Sequence, residues 1–168
     1  MSHPTKVARL RLQAFGAVIM ICGEAGLGMF VNLFVTIPRH HTGSSPSDYF
    51  SGSYHSVLWA ISHGAIALVI HAVLGLLLAI MVIGIVIRSL IMGRRAIATW
   101  SIVGALFTIG AGFNGASFLD YNKNVSSFLM AILALGSILC FAVVLFIPST
   151  TDPSGTPVED RKSTVPVD

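Results

Sequence analysis

Residues 56–87 read SVLWAISHGAIALVIHAVLGLLLAIMVIGIVI, an apolar run interrupted only by small residues and two histidines, His63 and His71. About 32 residues in one helix would extend roughly 48 Å, against a bilayer hydrocarbon core of about 30 Å. The run predicts a membrane span that tilts or projects into the headgroups. Three more runs of spanning length flank it, at about Leu12–Ile37, Ala96–Ser117 and Val125–Ile147. The expected fold class is therefore all-α, an integral membrane four-helix bundle over residues 1–148. Residues 149–168 hold too little apolar surface to fold alone and are expected to form a disordered cytoplasmic tail.

Composition agrees. Of 168 residues, 54% are hydrophobic and only 10% charged, where a soluble domain is nearer a quarter charged. The net charge of +3 comes from basic residues beside membrane ends, not from a stripe, which argues against a nucleic-acid partner. Lys6, Arg9 and Arg11 precede the first run, and Arg88, Arg94 and Arg95 lie between the second and third. The opposite loops carry only Arg39 and Lys123, beside Asp48 and Asp120. The positive-inside rule then predicts an N-in/C-in topology. The expected location is the plasma membrane.

Cys22 and Cys140 fall inside apolar runs and are expected to be packed thiols. A cleavable signal peptide has a shorter core than the first run, so that run is expected to be retained. No phosphate-binding loop, nucleophile elbow, HExxH motif or EF-hand loop is present.

Glu24 and His71 fall near the middle of the first and second runs, at matching depth. An ionisable group there costs about 2.5–3.5 kcal/mol on insertion scales, so it is a functional candidate by default. Glycines surround the acid in Gly23-Glu24-Ala25-Gly26-Leu27-Gly28. In one unbroken helix, His63 would lie about 12 Å from His71 toward the outer face. With Asn32 and Asn114 it would extend the polar site outward, ending at an outer mouth of Ser117, Asp120 and His55.

Small residues recur at helical spacing. Gly64, Ala67, His71 and Gly75 form one stripe and Gly104, Thr108, Ala111 and Gly115 another. Such stripes let membrane helices pack closely. Gly64 and Gly75 have a second reading, as cleared space for a flat cofactor beside His71. On that reading His71 ligates the iron of haem b. The other three runs contain no histidine, so the paired ligands of two-haem membrane cytochromes are absent.

Outside the runs, His40, His41 and His55 with Asp48 and Asp120 offer nitrogen and oxygen donors in no standard metal spacing. Residues 113–124, FNGASFLDYNKN, set amides, a carboxylate and aromatic rings at a helix end, suited to a quinone or lipid headgroup. They equally suit a turn, with Asp120 in it and Asn124 or Ser126 capping the next helix.

Three functions remain open. One is a haem-binding or proton-relaying protein associated with a redox or respiratory chain and electron transport. The second is a non-enzymatic accessory or assembly subunit. The third is an oligomeric proton- or ion-coupled carrier or channel. Each has the bilayer and either a second copy or a larger membrane complex as partner.

Overall fold

The computed structural model describes residues 3–44 and 47–148. The tail at 149–168 lies outside the described residues, and so does the disorder expected for it. Five helices follow in order: α1 His3–Phe34, α2 Tyr49–His63, α3 Ile66–Ile91, α4 Arg95–Tyr121 and α5 Asn124–Phe146. Four of them, all but α2, are long and apolar enough to cross a membrane. Their outward faces stay apolar, with Leu12, Ile80, Leu106, Leu139 and Phe146 all exposed. Helices apolar on every side suit a bilayer as solvent and mark an integral membrane protein.

The run at 56–87 is not one helix. It breaks at Gly64 and Ala65, and its first part becomes the C-terminal half of α2. A close approach marks the break. The Gly64 amide donates to the Ala60 carbonyl at 3.1 Å, and a Cβ at Gly64 would stand 2.3 Å from that same oxygen. A residue with a side chain cannot take this backbone without displacing the last turn of α2. Asp48 starts α2, accepting from the Ser51 amide at 2.8 Å. Tyr49, Phe50, Tyr54 and Trp59 give α2 the aromatic content of an interfacial helix.

The four long helices form a square. α1 packs on α3 and α5, α4 packs on α3 and α5, and among the described residues neither diagonal pair touches. α2 lies against α3 and α4 at one end. At the other end, Arg11 donates to the Ile147 carbonyl and Arg94 to that of Pro148 at 2.6 Å. These cations meet the two carbonyls just past the end of α5, beside the partial negative charge of that helix end. The start of α1, the start of α4 and the end of α5 therefore share one end of the bundle, called proximal below.

Buried positions on α1 and α3 follow a three-and-four spacing. On α1 they are Val7, Leu10, Ala14, Ala17, Ile21, Gly28 and Val31, with Glu24 in step. On α3 they are Leu68, Leu78, Val82, Ile85 and Ser89, with His71 and Gly75 in step. This is the seam of helices packed at shallow angles. α4 and α5 pack through small residues. A Cβ on Gly104 would stand 3.1 Å from Cys140 and from the Phe141 ring, and one on Gly136 would stand 2.9 Å from the Phe107 ring. The second small-residue stripe is thus a packing face, as its spacing predicts. Cys140 is buried as expected, but Cys22 is exposed on the outward side of α1, since it lies off that helix's seam.

The α4–α5 turn differs from expectation. Asp120 lies in the last turn of α4, not in the loop. Asn122 ends that helix in the left-handed region, at φ 50°, its amide donating to the Phe118 carbonyl at 2.8 Å. Lys123 takes the N-cap position of α5, so neither Asn124 nor Ser126 caps it by a side chain.

Gly64→Ala should lower stability by about 1–3 kcal/mol, because the new methyl meets a backbone carbonyl. Gly23→Ala, in open space on α1, should be neutral or stabilising by up to about 1 kcal/mol. Thermal unfolding of both variants in detergent measures the contrast; a Gly64→Ala protein as stable as Gly23→Ala would contradict the break.

Candidate functional site

Glu24 and His71 meet across the α1–α3 seam. His71 Nδ1 lies 3.0 Å from Glu24 Oε1. The pair is within ion-pair distance but off the axis of a straight hydrogen bond, and both Nδ1 and Glu24 Oε2 are otherwise without a partner. The His71 side chain is 20% exposed and that of Glu24 14%.

Two glycines make the contact possible. A Cβ on Gly75 would stand 3.1 Å from Glu24 Oε1, and one on Gly28 would stand 2.9 Å from His71 Cε1. Each polar side chain therefore lies over the bare backbone of the facing helix. The arrangement follows from spacing and direction. Glu24 and Gly28 are four apart on α1, His71 and Gly75 four apart on α3, and the two helices run antiparallel. Antiparallel packing brings Glu24 level with Gly75 and His71 level with Gly28. Gly28 is the residue of this site that sequence reasoning missed, although its four-residue offset from Glu24 was visible in the glycine-rich segment.

Dry packing lies on both sides. Ile21 and Leu78 join a proximal core with Val82, Ile85, Phe141 and Val144. Val31 and Leu68 join a smaller distal core with Ala60 and Leu119. On both seam helices the polar pair falls in the gap between the cores.

The other expected members of the polar site are elsewhere. His63 ends α2, exposed, with Nδ1 2.7 Å from Ser62 Oγ. The break at Gly64 removes it from the helix that carries His71. Gly64 itself belongs to that break and not to the surroundings of His71. Asn114 donates to the Gly110 carbonyl of its own helix at 2.9 Å, the local bonding open to a mid-helix asparagine. Asn32 is exposed and lines a shallow depression at the distal end with Asn122 and Asn124.

Of the residues expected at an outer mouth, Ser117 has its Oγ 2.7 Å from the Tyr49 hydroxyl. Asp120 is buried, and Ser53 Oγ donates to its Oδ2 at 3.1 Å. His55 is exposed, edge-on to Tyr54. His41 stacks on Trp59 at 4.2 Å between centroids, with Nδ1 3.0 Å from the Thr42 carbonyl and Nε2 3.1 Å from that of Leu119. Among the described residues no three of His, Cys, Asp and Glu gather as a metal-binding group.

A further polar knot, absent from the sequence reading, joins α4 and α5. Thr108 and Ser137 hydroxyls lie 2.6 Å apart, and both donate to the Gly104 carbonyl, at 3.0 and 2.9 Å. Its signal was Thr108 in the small-residue stripe.

The geometry bears on haem. Gly75, expected to free a face of His71, holds Glu24 against its backbone, and the Cε1 corner of the imidazole abuts Gly28. The glycines accommodate the two side chains, leaving no slot for a planar ring at those points. No protein-family model, curated protein or solved structure matches the chain.

Glu24→Gln and His71→Ala should each destabilise the bundle by about 0.5–2 kcal/mol, the range for polar contacts between membrane helices. The double variant should fall short of the sum, because both changes remove one shared contact. Unfolding in mixed micelles measures the cycle; strict additivity would show that the residues act separately. Gly28→Ala should mimic His71→Ala by pushing the imidazole off the carboxylate.

Proposed function

We propose that this chain is a proton-handling membrane protein of the redox or respiratory type, with Glu24 and His71 sharing one exchangeable proton. The supporting observation is the 3.0 Å contact of carboxylate and imidazole in a gap between two apolar cores. A carboxylate takes a proton at Oε1 or Oε2, and Nδ1 of a neutral imidazole either accepts one or donates its own. Movement between Oε1 and Nδ1 converts an ion pair into a neutral pair, at a depth where water cannot compensate the charge. Glu24 Oε2, buried and unpartnered, is the second position for the proton. Ionisable side chains at such depth commonly belong to proton relays.

Haem is not required by this reading, and the glycine contacts described above do not support His71 as its ligand. Orientation follows the arginine bias, with Lys6, Arg9, Arg11, Arg88, Arg94 and Arg95 on the cytoplasmic side and α2 outside, in the plasma membrane. A cysteine at Ser51, exposed on α2, should then react with an impermeant reagent added to intact cells; protection of that site, with labelling from the inside only, would contradict the orientation.

Infrared difference spectroscopy of the full chain in lipid tests the proton site. A protonated-carboxyl carbonyl band should appear on acidification, vanish in Glu24→Gln and shift in frequency in His71→Ala. Absence of any such band assignable to Glu24 on acidification would overturn the reading. A Soret band in the purified protein that His71→Ala removes would replace it with the haem alternative.

A further inference from the structure

Between α1 and α2, residues 40–44 form a short strap that lies against the distal ends of α2 and α4. Gly43 rests directly on α2, at φ 98°, and a Cβ there would stand 2.5 Å from both the amide nitrogen and the Oγ of Ser56. The strap closes on itself at Ser44, whose amide donates to the His41 carbonyl at 3.0 Å and whose Oγ accepts from the His41 amide at 3.2 Å. The His41 ring carries the strap across to α4, reaching the Leu119 carbonyl.

Both ring nitrogens of His41 meet acceptors. Nδ1 is 3.0 Å from the Thr42 carbonyl and Nε2 is 3.1 Å from that of Leu119. A carbonyl oxygen only accepts, so both contacts are hydrogen bonds only when both nitrogens carry protons. A neutral ring has one N–H, and its other nitrogen would turn a lone pair on a carbonyl oxygen. Two further features favour the cation. The Leu119 carbonyl belongs to the last turn of α4, the negative end of that helix. The Trp59 ring stacks on the imidazole, at 4.2 Å between centroids and 17° between planes, and its face attracts positive charge. The titratable groups on the surrounding elements are Arg39 and His40 on the same loop, His55 and His63 four residues either side of Trp59 on α2, and Asp120 and Tyr121 after Leu119 on α4. All but Asp120 are exposed to water, which screens them; Asp120, as an anion, would reinforce the cation.

We propose that His41 is a proton-operated latch that holds this strap on α2 and α4. With both nitrogens protonated, the ring donates to Thr42 and to Leu119 at once. In either neutral tautomer one of those two contacts becomes repulsive, and the strap loses its hold. Closure therefore takes up one proton: the closed strap is fully held at acid pH and released as pH rises. The latch is separate from the Glu24–His71 seam. On the orientation proposed above it faces the outside and reads the pH there.

Hydrogen exchange of the full chain in lipid nanodiscs, read by mass spectrometry on peptides covering 40–44 and corrected for the intrinsic pH dependence of exchange, tests the latch. Protection of these amides should fall about tenfold between about pH 5.5 and about pH 8, either side of the range in which an ordinary histidine titrates. His41→Gln, which keeps an N–H donor but does not titrate, should lose that dependence, while His55→Gln and His63→Gln should keep it. A dependence that survives His41→Gln, or wild-type protection equal at both pH values, would overturn the proposal. Nitrogen NMR of ¹⁵N-labelled histidine gives a second readout that needs no variant. His41, assigned by its through-space cross-peak to the carbonyl carbon of labelled leucine at Leu119, should show two protonated ring nitrogens while the strap is protected. A neutral His41 ring in a protected strap would overturn the latch as well.

Discussion

The reciprocal lock between α1 and α3 is the constraint on which the rest depends. Each helix places one long polar side chain and one glycine on the seam, four residues apart. Antiparallel packing matches them crosswise, Glu24 over Gly75 and His71 over Gly28. The match holds in one register only. A slip of one turn would put a carboxylate or an imidazole against Ile21, Val31, Leu68 or Leu78, where no polar partner exists. In a bilayer, where apolar contact between helices gains little over apolar contact with lipid, such polar and close-packed points set register.

The opposite side of the square is held differently. α4 and α5 approach through Gly104 and Gly136, and their polar contact is the Thr108–Ser137 knot on the Gly104 carbonyl. All the hydroxyl donors there have acceptors, and no ionisable group takes part. The two sides therefore have different capacities. The α4–α5 side is a satisfied structural contact, whereas the α1–α3 side keeps a buried carboxylate oxygen and a ring nitrogen short of partners. What distinguishes Glu24 and His71 is that two such under-partnered groups, both ionisable, meet across one seam.

Much of this was legible in the chain. Four long apolar runs and matching depths for Glu24 and His71 are properties of position, which sequence records directly. The break at Gly64 was not legible, because a glycine within an apolar run looks the same whether the helix continues or stops. The closeness of its backbone to the Ala60 carbonyl, which would leave an added Cβ only 2.3 Å away, exists only in three dimensions. Reading through it placed His63 on the helix of His71 and Gly64 beside a cofactor. Asp120 was misplaced for a related reason: Asp-Tyr-Asn reads as a turn, yet α4 continues to Tyr121 and Asn122 makes the stop. The role of Gly28 was readable in principle. Leu10, Ala14, Ala17, Ile21, Glu24, Gly28 and Val31 fall on one three-and-four repeat, and Leu68, His71, Gly75, Leu78, Val82 and Ile85 on another. Running the second backwards along the first pairs each ionisable residue with a glycine.

The α1–α3 lock requires contact between Glu24 and His71. Solid-state NMR on the full chain in lipid, with ¹⁵N-labelled histidine and ¹³C-labelled glutamate, threonine and serine, measures it directly. A through-space cross-peak between His71 Nδ1 and the Glu24 carboxyl carbon is expected, given a nitrogen–oxygen distance of 3.0 Å. Loss of that peak in Glu24→Gln, with the same labels and glutamine left unlabelled, would complete the assignment. Absence of the peak in wild-type protein, in a sample where the Thr108–Ser137 contact between α4 and α5 is observed, would contradict the lock and the proton-sharing site built on it.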